Sequence, residues 1–312
     1  MRQITLDEED WPMPRKRNYF IIWGHSLIIA ALLSLMFVNS LMAADLREIK
    51  QKGVLRHLGI PYANFVTGSG DGLDVELIKM FAKHLGVRYK YVAASWESVI
   101  GDLTGKQVGC KGDKVEIMGE APIKGDLIAN GFTILPWRQK IVNFSVPTFI
   151  TQVWLVARAD SPLQPIVPAK SIKKDIAAVD ALLKGHSILG KASTCLDPSL
   201  YNLKGKGAKV RLFKGSLNDM APAIIAGEAD LTLLDVPDAL VALDKFPGKI
   251  KIIGPITAKQ YMGVAFAKTS PELRDAFNQF FEKIKADGTY QKMVKHYYPK
   301  VLIYFRDFFT RK

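Results

Sequence analysis

Short apolar runs alternate with stretches of helical periodicity from residue 45 onward. In one such stretch Val75, Ile78, Phe81 and Leu85 lie on one helical face, and Gly86 follows as a stop signal. The apolar runs predict strands at 54–60, 87–92, 153–158, 188–191, 229–234, 250–253 and 262–266. The periodic stretches predict helices at 74–85, 95–103, 176–183, 216–226, 237–245 and 271–287. This alternation is typical of α/β layers built on mostly parallel sheets.

Two segments depart from the alternation. Residues 106–125 are rich in glycine among lysine and glutamate, which predicts an inserted loop or hairpin. Residues 301–312 mix aromatic and aliphatic side chains with Arg306, Arg311 and Lys312. That pattern fits either an amphipathic segment at a membrane interface or a C-terminal helix packed on its own domain.

The N-terminus has the pattern of an export signal. Three basic residues, Arg15 to Arg17, precede an apolar run over 19–42, and the small residues Ala43 and Ala44 follow it. The run is also long enough for an uncleaved membrane anchor, so residues 1–44 are predicted to be one or the other. In both cases the rest of the chain lies outside the cytoplasm.

Composition narrows the classes of function. The 312 residues are 48% hydrophobic and 23% charged, as in ordinary globular proteins, and the formal net charge is +13. The basic residues are scattered, so we expect no nucleic-acid partner. Cys110 and Cys195 either form a disulfide, which an oxidising compartment permits, or remain two free thiols. No His/Cys cluster has metal-ligand spacing and no cofactor loop is evident, so we expect neither a metal nor a cofactor.

Four segments carry a resemblance to a known family. They are 72–77 (GLDVEL), 126–147 (from DLIANGFT through Arg138 to FSVP), 227–235 (from GEAD to Asp235) and 287–290 (DGTY). In this order and spacing, the chain over 46–299 resembles the family 3 extracellular solute-binding proteins, which have the type II periplasmic binding fold and serve polar amino-acid ABC importers.

The resemblance implies two lobes, each with a mostly parallel sheet flanked by helices. Lobe 1 would be discontinuous, formed by 45–150 with the insert 106–125 and by 260–299, and lobe 2 would be 151–259. Two crossings, near 148–152 and 258–263, would form a two-strand hinge, and 300–312 would be an amphipathic extension. A small ligand would lie between the lobes.

The resemblance also implies site residues. Arg138 matches the arginine that binds the ligand carboxylate, because a guanidinium can donate two parallel hydrogen bonds. Gly131 and Thr133 fall where the family offers a backbone group and a hydroxyl beside that arginine. Asp235 follows an apolar strand and is the expected partner of the ligand ammonium, although an Asp there also suits an N-cap for the next helix.

Further contacts would come from both lobes. Ser193 and Thr194 match a turn that opens a helix, whose free N–H groups would hold the same carboxylate, although Ala192 replaces the usual glycine. Tyr62, Phe65 and Trp96 match the aromatic walls around the ligand side chain. Trp137 departs from the family, which commonly has Glu before the arginine, and it makes the cleft edge less acidic.

The resemblance implies a monomeric, periplasmic, non-enzymatic binding protein. It would capture an amino acid or related carboxylate by cleft closure and deliver it to an ABC permease in the inner membrane. Two alternatives remain open at this stage. One is a membrane-anchored ligand sensor; the other is a dehydratase-like enzyme using Asp235 or Glu97 as general acid or base.

Overall fold

The structure, a computed structural model, describes residues 44–111 and 114–310. The predicted export signal or anchor, the segment 112–113 and the last two residues lie outside the described residues. Among the described residues, no helix is both long and apolar enough to cross a bilayer.

The strands of the described residues are numbered in chain order. They are β1 (Val54–Gly59), β2 (Arg88–Ala93), β3 (Lys106–Lys111), β4 (Lys114–Glu120), β5 (Leu127–Ile128), β6 (Val142–Phe144), β7 (Phe149–Thr151), β8 (Val153–Arg158), β9 (Ser187–Gly190), β10 (Lys209–Leu212), β11 (Leu231–Asp235), β12 (Ile250–Pro255), β13 (Gln260–Met262) and β14 (Ala265–Ala267).

The α-helices are numbered in the same way. They are α1 (Leu46–Lys52), α2 (Leu73–Leu85), α3 (Val99–Thr104), α4 (Pro136–Gln139), α5 (Ile172–Asp180), α6 (Met220–Ile225), α7 (Val236–Lys245), α8 (Pro271–Ala286), α9 (Thr289–Tyr297) and α10 (Val301–Thr310). Two 3₁₀ turns, Pro198–Tyr201 and Leu217–Asp219, complete the regular structure described here.

Two five-stranded sheets form the cores of two lobes. The sheet of lobe 1 has the order β2-β1-β5-β14-β6, and the sheet of lobe 2 has the order β10-β9-β11-β8-β12. Helices α2, α3 and α8 pack on the first sheet, and α5, α6 and α7 pack on the second. Every residue of β11 is buried, as expected for a strand covered on both faces. The predicted two-lobed α/β fold is therefore confirmed.

Both sheets are mostly parallel, as predicted, because four of the five strands in each run in one direction and a single strand runs antiparallel to them. In lobe 1, β1 pairs in parallel with β2 and β5, but β14 is antiparallel to both β5 and β6. In lobe 2, β9 pairs in parallel with β10 and β11, but β8 is antiparallel to β11 and β12. In each lobe the antiparallel strand is the one that the chain enters after crossing from the other lobe.

The two crossings pair with each other. Strand β7 leads out of lobe 1 and β13 leads back, and they form an antiparallel ladder from Phe149↔Met262 to Thr151↔Gln260. This ladder is the predicted two-strand hinge. The sequence predicted one strand over 262–266, but the structure has β13 and β14 separated by Gly263 and Val264, because the chain passes there from the hinge into the sheet of lobe 1.

The insert at 106–120 is a β-hairpin, one of the two forms that its sequence predicted. Strands β3 and β4 pair from Lys106↔Glu120 to Lys111↔Lys114, with an irregularity after Gln107. The hairpin forms a separate two-stranded sheet, and its β3 strand contacts α3 of lobe 1.

The C-terminal helix α10 packs against its own protein, as the second of the two alternatives for 301–312 expected. It contacts both α9 and α7, so it touches lobe 1 and lobe 2. Phe309 packs on the hinge residue Phe149 with ring centroids 5.0 Å apart, and Phe308 lies 5.9 Å from Tyr261. The backbone kinks at Phe305, which is buried like Phe309. The helix therefore covers the hinge.

This packing predicts that the C-terminal helix contributes measurably to stability. We expect Phe309→Ala to lower the free energy of unfolding by about 3 kcal/mol, because it removes a buried aromatic ring from the hinge. The measurement is equilibrium unfolding in urea. Ile303→Ala is the matched control: its side chain is 77% exposed on the same helix, and we expect a change within about 0.5 kcal/mol. Equal effects of the two substitutions would contradict the packing.

Candidate functional site

Arg138 lies at the junction of the two lobes. It belongs to the short helix α4 of lobe 1 and its side chain is buried. Its Nη1 donates to the carbonyl oxygen of Thr133 at 3.0 Å, and its Nη2 donates to the carbonyl oxygen of Ser193 at 2.9 Å. Thr133 is in lobe 1 and Ser193 follows β9 of lobe 2. One guanidinium thus joins the lobes.

Aromatic rings enclose the guanidinium of Arg138. Its central carbon lies 3.9 Å from the ring centroid of Phe132, 5.2 Å from that of Trp137 and 5.9 Å from that of Trp96. Burial lowers the pKa of Arg138 to about 10, against the raising effect of nearby groups such as Cys195. The group is therefore still a cation at neutral pH. Its Nε is buried and has no hydrogen-bond partner in the described part of the chain.

Asp235 is the buried carboxylate on the lobe 2 side. It ends β11 and caps α7, because its Oδ1 accepts a hydrogen bond from the Asp238 amide at 3.3 Å. The hydroxyl of Tyr62, in lobe 1, donates to the same oxygen, and the Cys195 thiol lies 3.7 Å from Oδ2. Burial raises the pKa of Asp235 to about 6, and the hydrogen bond from Tyr62 acts in the opposite direction. The predicted N-cap role is present together with a contact across the cleft.

The predicted aromatic residues lie at different depths. The Tyr62 ring meets Trp96 edge-on at 5.7 Å, and Trp96 stacks on Phe132 at 6.3 Å, so these two residues line the junction. Phe65 stacks beneath Tyr62 but also packs on Phe149 and Tyr298, and it is fully buried. Phe65 therefore supports the wall from the core of lobe 1.

Gly131 and Thr133 lie beside Arg138, as predicted, but they offer other atoms than expected. The Gly131 amide donates to Oδ2 of Asp74 at 2.7 Å, so this N–H is already engaged. Gly131 has φ +66°, and a Cβ there would lie 2.5 Å from the Phe65 ring, so the position requires glycine. Thr133 uses its carbonyl on Arg138, and its buried hydroxyl makes no hydrogen bond within the described residues.

No helix begins at Ser193 or Thr194, so that expectation is wrong. Ser193 has φ +63°, a left-handed conformation that interrupts a helix, and the next helical residues are the 3₁₀ turn Pro198–Tyr201. The Thr194 hydroxyl donates to the Lys191 carbonyl at 2.8 Å and accepts from the Leu196 amide at 3.0 Å. The turn therefore lacks a helix dipole, and its contact with the cleft is the Ser193 carbonyl.

Cys110 and Cys195 are both free thiols in the structure. Burial, followed by the charge of Asp235, raises the pKa of Cys195 to about 12. Burial also raises the pKa of Cys110, on which the charges of Asp197 and Arg138 act in opposite directions. Of the two alternatives in the sequence, the structure shows the thiols.

Sequence reasoning missed several residues of the junction. Asn218 accepts a hydrogen bond from the Ala63 amide across the lobes at 2.8 Å, and Tyr201 donates to the Cys195 carbonyl. Neither has a local sequence signal. Asp238 could have been found, because it follows Asp235 by one helical turn; it is buried, and its Oδ2 lacks a partner among the described residues. Burial and the charge of Asp235 raise its pKa well above the usual range.

Unpaired polar atoms concentrate in one loop of the junction. Asn130, the Thr133 hydroxyl and Nε of Arg138 are buried without hydrogen bonds inside the described part of the protein. Buried polar groups normally find partners, so this loop has donors and acceptors available to a ligand. Within 44–111 and 114–310, no group of three His, Cys, Asp or Glu side chains is placed to hold a metal ion.

The comparisons with known proteins agree with this geometry. The model of the bacterial extracellular solute-binding proteins, family 3, matches residues 122–300, which is more than half of the chain. The chain belongs to this family. The predicted family is therefore confirmed.

Curated relatives are about 25% identical in sequence to the chain. The histidine-binding periplasmic protein of Salmonella typhimurium is 25% identical over 86% of this chain and 96% of its own length. The lysine/arginine/ornithine-binding periplasmic protein of Escherichia coli is 26% identical over 73% of this chain and 78% of its own. The membrane-bound lytic murein transglycosylase F of Desulfosudis oleivorans is 25% identical over 74% of this chain. The match spans only 44% of that enzyme.

Solved structures have the same fold. A mutant of ArgBP from T. maritima superposes with a TM-score of 0.65 at 25% identity, over 82% of this chain and 99% of that one. The arginine-bound form of truncated ArgBP gives a TM-score of 0.59 at 26% identity, over 76% and 99%. The structural neighbours are two-lobed amino-acid-binding proteins, which supports the assignment of the two sheets to two lobes.

The thiols give a first prediction for this site. After unfolding without reductant, a thiol reagent should titrate two thiols per chain. In the folded protein at pH 8, Cys195 should react more slowly than Cys110, because it is more buried and its thiolate is disfavoured by burial and by Asp235. Mass spectrometry of the alkylated peptides distinguishes them. Detection of no thiol would establish the disulfide instead.

The buried Asp74 gives a second prediction. Burial raises the pKa of Asp74 to about 7, although the hydrogen bond that it accepts from the Gly131 amide acts in the opposite direction. Between its usual pKa of about 4 and this value, the folded state holds a proton that the unfolded state lacks. The contribution of the protonated Asp74 to the stability of the folded state is therefore fully present below about pH 4 and is lost as the pH rises through 7. The free energy of unfolding of wild type relative to Asp74→Asn should fall over that range, by an amount on the order of 1 kcal/mol or more.

Urea unfolding at several pH values measures this difference. Glu272→Gln, which changes an exposed carboxylate, is the control and should show no comparable trend. A difference that rises with pH would contradict the sign.

Proposed function

We propose that this protein binds a free amino acid or a closely related small carboxylate between its lobes and delivers it to an ABC importer. The observation that carries the proposal is the buried Arg138, which joins the lobes through Ser193 and whose Nε has no hydrogen-bond partner among the described residues. The family and the names of the relatives support the ligand class.

The carboxylate end of the ligand would bind at Arg138. A carboxylate accepts up to four hydrogen bonds, and an arginine can supply two of them in one plane. Nε of Arg138 and the Thr133 hydroxyl are buried donors without partners in the described residues. Leaving such donors unpaired costs free energy, so an arriving carboxylate would remove a penalty as well as add contacts.

The ammonium end would bind at Asp235. With a pKa of about 6 in the structure, this carboxyl group is mostly ionised at neutral pH, and an ammonium beside it would favour the charged form further. Tyr62 and Cys195 now contact its two oxygens. The ligand would therefore exchange with these groups, whereas the bond to the Asp238 amide keeps the carboxylate oriented.

Closure of the cleft would bring both ends of the ligand into contact. Contacts that cross between the lobes include the hydrogen bonds of Arg138 with Ser193, of Tyr62 with Asp235 and of Ala63 with Asn218. The two-stranded hinge of β7 and β13 is the element about which they would separate. A ligand that contacts both lobes favours the closed state over the open one.

A periplasmic location and an importer as partner follow from the family and from the predicted export segment. The relatives from Salmonella typhimurium and Escherichia coli are periplasmic proteins by name. The transglycosylase match covers less than half of that enzyme. A sensor and an enzyme remain the alternatives of the sequence analysis, and no specific contact in the site favours either.

Thermal stabilisation of the purified protein tests the proposal. A ligand at a hundred times its dissociation constant should add about 2.7 kcal/mol to the free energy of unfolding, which gives a clear shift of the melting temperature. We expect at least one amino acid or small carboxylate to produce it. Arg138→Lys should weaken ligand binding strongly, because an ammonium cannot form the two-point contact of a guanidinium. Asp235→Asn should weaken the binding of ligands that carry an ammonium.

A control variant and one contradicting outcome complete this test. Lys173→Ala, an exposed position on α5, serves as the control and should bind like wild type. Stabilisation by a carboxylate ligand that persists in both site variants would place the binding elsewhere and contradict the proposal.

A further inference from the structure

Lys191 and Glu97 form an ion pair across the two lobes. Nζ of Lys191 lies 3.4 Å from Oε1 of Glu97 and 3.4 Å from the carbonyl oxygen of Lys214. The Lys191 side chain is 10% exposed, whereas that of Glu97 is 62% exposed. The lysine is therefore the fixed, buried partner, and the glutamate approaches it from the solvent side.

This pair lies at the edge of the junction already described. Glu97 directly follows Trp96, whose ring contacts Tyr62 and faces Arg138. Lys191 comes two residues before Ser193, whose carbonyl accepts the hydrogen bond from Arg138. A ligand held between Arg138 and Asp235 would thus extend its side chain among aromatic rings and toward this pair.

Two other acidic groups near the junction have local interactions of their own. Asp197 caps the 3₁₀ turn that follows it, because its Oδ1 accepts from the Ser199 amide at 2.9 Å. Asp238 is buried beside Asp235, and burial together with the charge of Asp235 raises its pKa well above its usual range. The residue before Arg138 is the buried Trp137, which offers no carboxylate.

Charged groups of both lobes would surround the ligand. Arg138 and Asp235 balance the carboxylate and ammonium that every amino acid carries. The other charged pair at this junction consists of Lys191, whose side chain is 10% exposed, and Glu97, whose side chain is 62% exposed. We propose that Lys191 selects the ligand, so that the site binds amino acids whose side chain carries no positive charge. This inference rests on the proposed function and narrows its substrate class.

The physical reason is the cost of bringing a second cation beside a buried one. An ammonium or guanidinium on the ligand would compete with Lys191 for Glu97, and one of the two cations would lose its partner away from water. An uncharged side chain leaves the pair intact. An acidic side chain could replace the exposed Glu97 as the partner of Lys191.

Isosteric ligand pairs test this directly on the full-length protein. Citrulline has the shape of arginine without its charge, 2-aminoheptanoate stands in the same relation to lysine, and norleucine to ornithine. Dissociation constants measured by calorimetry should favour the uncharged member by about tenfold or more. Glutamine and glutamate extend the panel. The inference is also supported if uncharged or acidic amino acids bind and no binding of arginine, lysine or ornithine is measurable.

Two substitutions should move the discrimination in opposite directions. Lys191→Met frees Glu97 for a ligand cation, so the preference for citrulline over arginine should shrink by about tenfold. Glu97→Gln leaves Lys191 unpaired, so the preference should grow, and this exposed position should tolerate the change. Lys173→Met removes one positive charge from an exposed site on α5 of the same lobe and should leave the preference unchanged.

The outcomes distinguish this inference from the proposed function. If no amino acid binds, this inference is overturned, and the proposed function is overturned with it when no small carboxylate binds either. Tighter binding of arginine than citrulline that is lost in Arg138→Lys would uphold the proposed function and overturn the selection by Lys191. A preference for citrulline that Lys191→Met and Lys173→Met reduce equally would also overturn it, because the effect would then come from net charge.

Discussion

The burial of a guanidinium between two lobes is the constraint on which the rest of this structure depends. A cation removed from water needs partners, and Arg138 obtains them from a carbonyl of each lobe, Thr133 on one side and Ser193 on the other. The loop after β5 and the turn after β9 must therefore meet. Both segments follow strands that pair in parallel with a neighbour in their own sheet, and ligand sites in open α/β sheets form at such ends.

The crossing of the chain between the lobes explains how the loop after β5 and the turn after β9 are held next to each other. Strand β8 enters the sheet of lobe 2 directly after the hinge strand β7, and β14 enters that of lobe 1 shortly after β13. Each sheet thus contains a strand tied to the hinge. The C-terminal helix α10 contacts α9 and α7 and covers the hinge through Phe309 on Phe149. Any motion of the lobes about the hinge would have to preserve or break this packing. The C-terminal helix would therefore move with the hinge or resist its motion.

The sequence predicted elements well wherever an apolar pattern is local, and it failed where the conformation depends on distant contacts. The strand at 153–158 and the helix at 271–287 matched to within a residue. The turn at Ser193 did not, because its left-handed residue is held by a carbonyl contact with Arg138, 55 positions away. Asn218 was missed for the same reason, because the amide that it accepts from is 155 positions away. Arg138, Thr133, Tyr62, Trp96 and Asp235 were located by a family pattern, and the pattern gave no warning that the Gly131 amide is engaged by Asp74.

Some polar groups of the site are already hydrogen-bonded to each other in this structure, which under the proposed function would affect the affinity for a ligand. Tyr62 donates to Asp235, which is where a ligand ammonium would bind, while Nε of Arg138 and the Thr133 hydroxyl remain unpaired in the described residues. The ammonium end therefore gains only the difference between two contacts, whereas the carboxylate end gains a contact outright. Recognition of the carboxylate should thus dominate the binding free energy, and the side-chain region beside Lys191 and Trp96 should decide among ligands that all satisfy it.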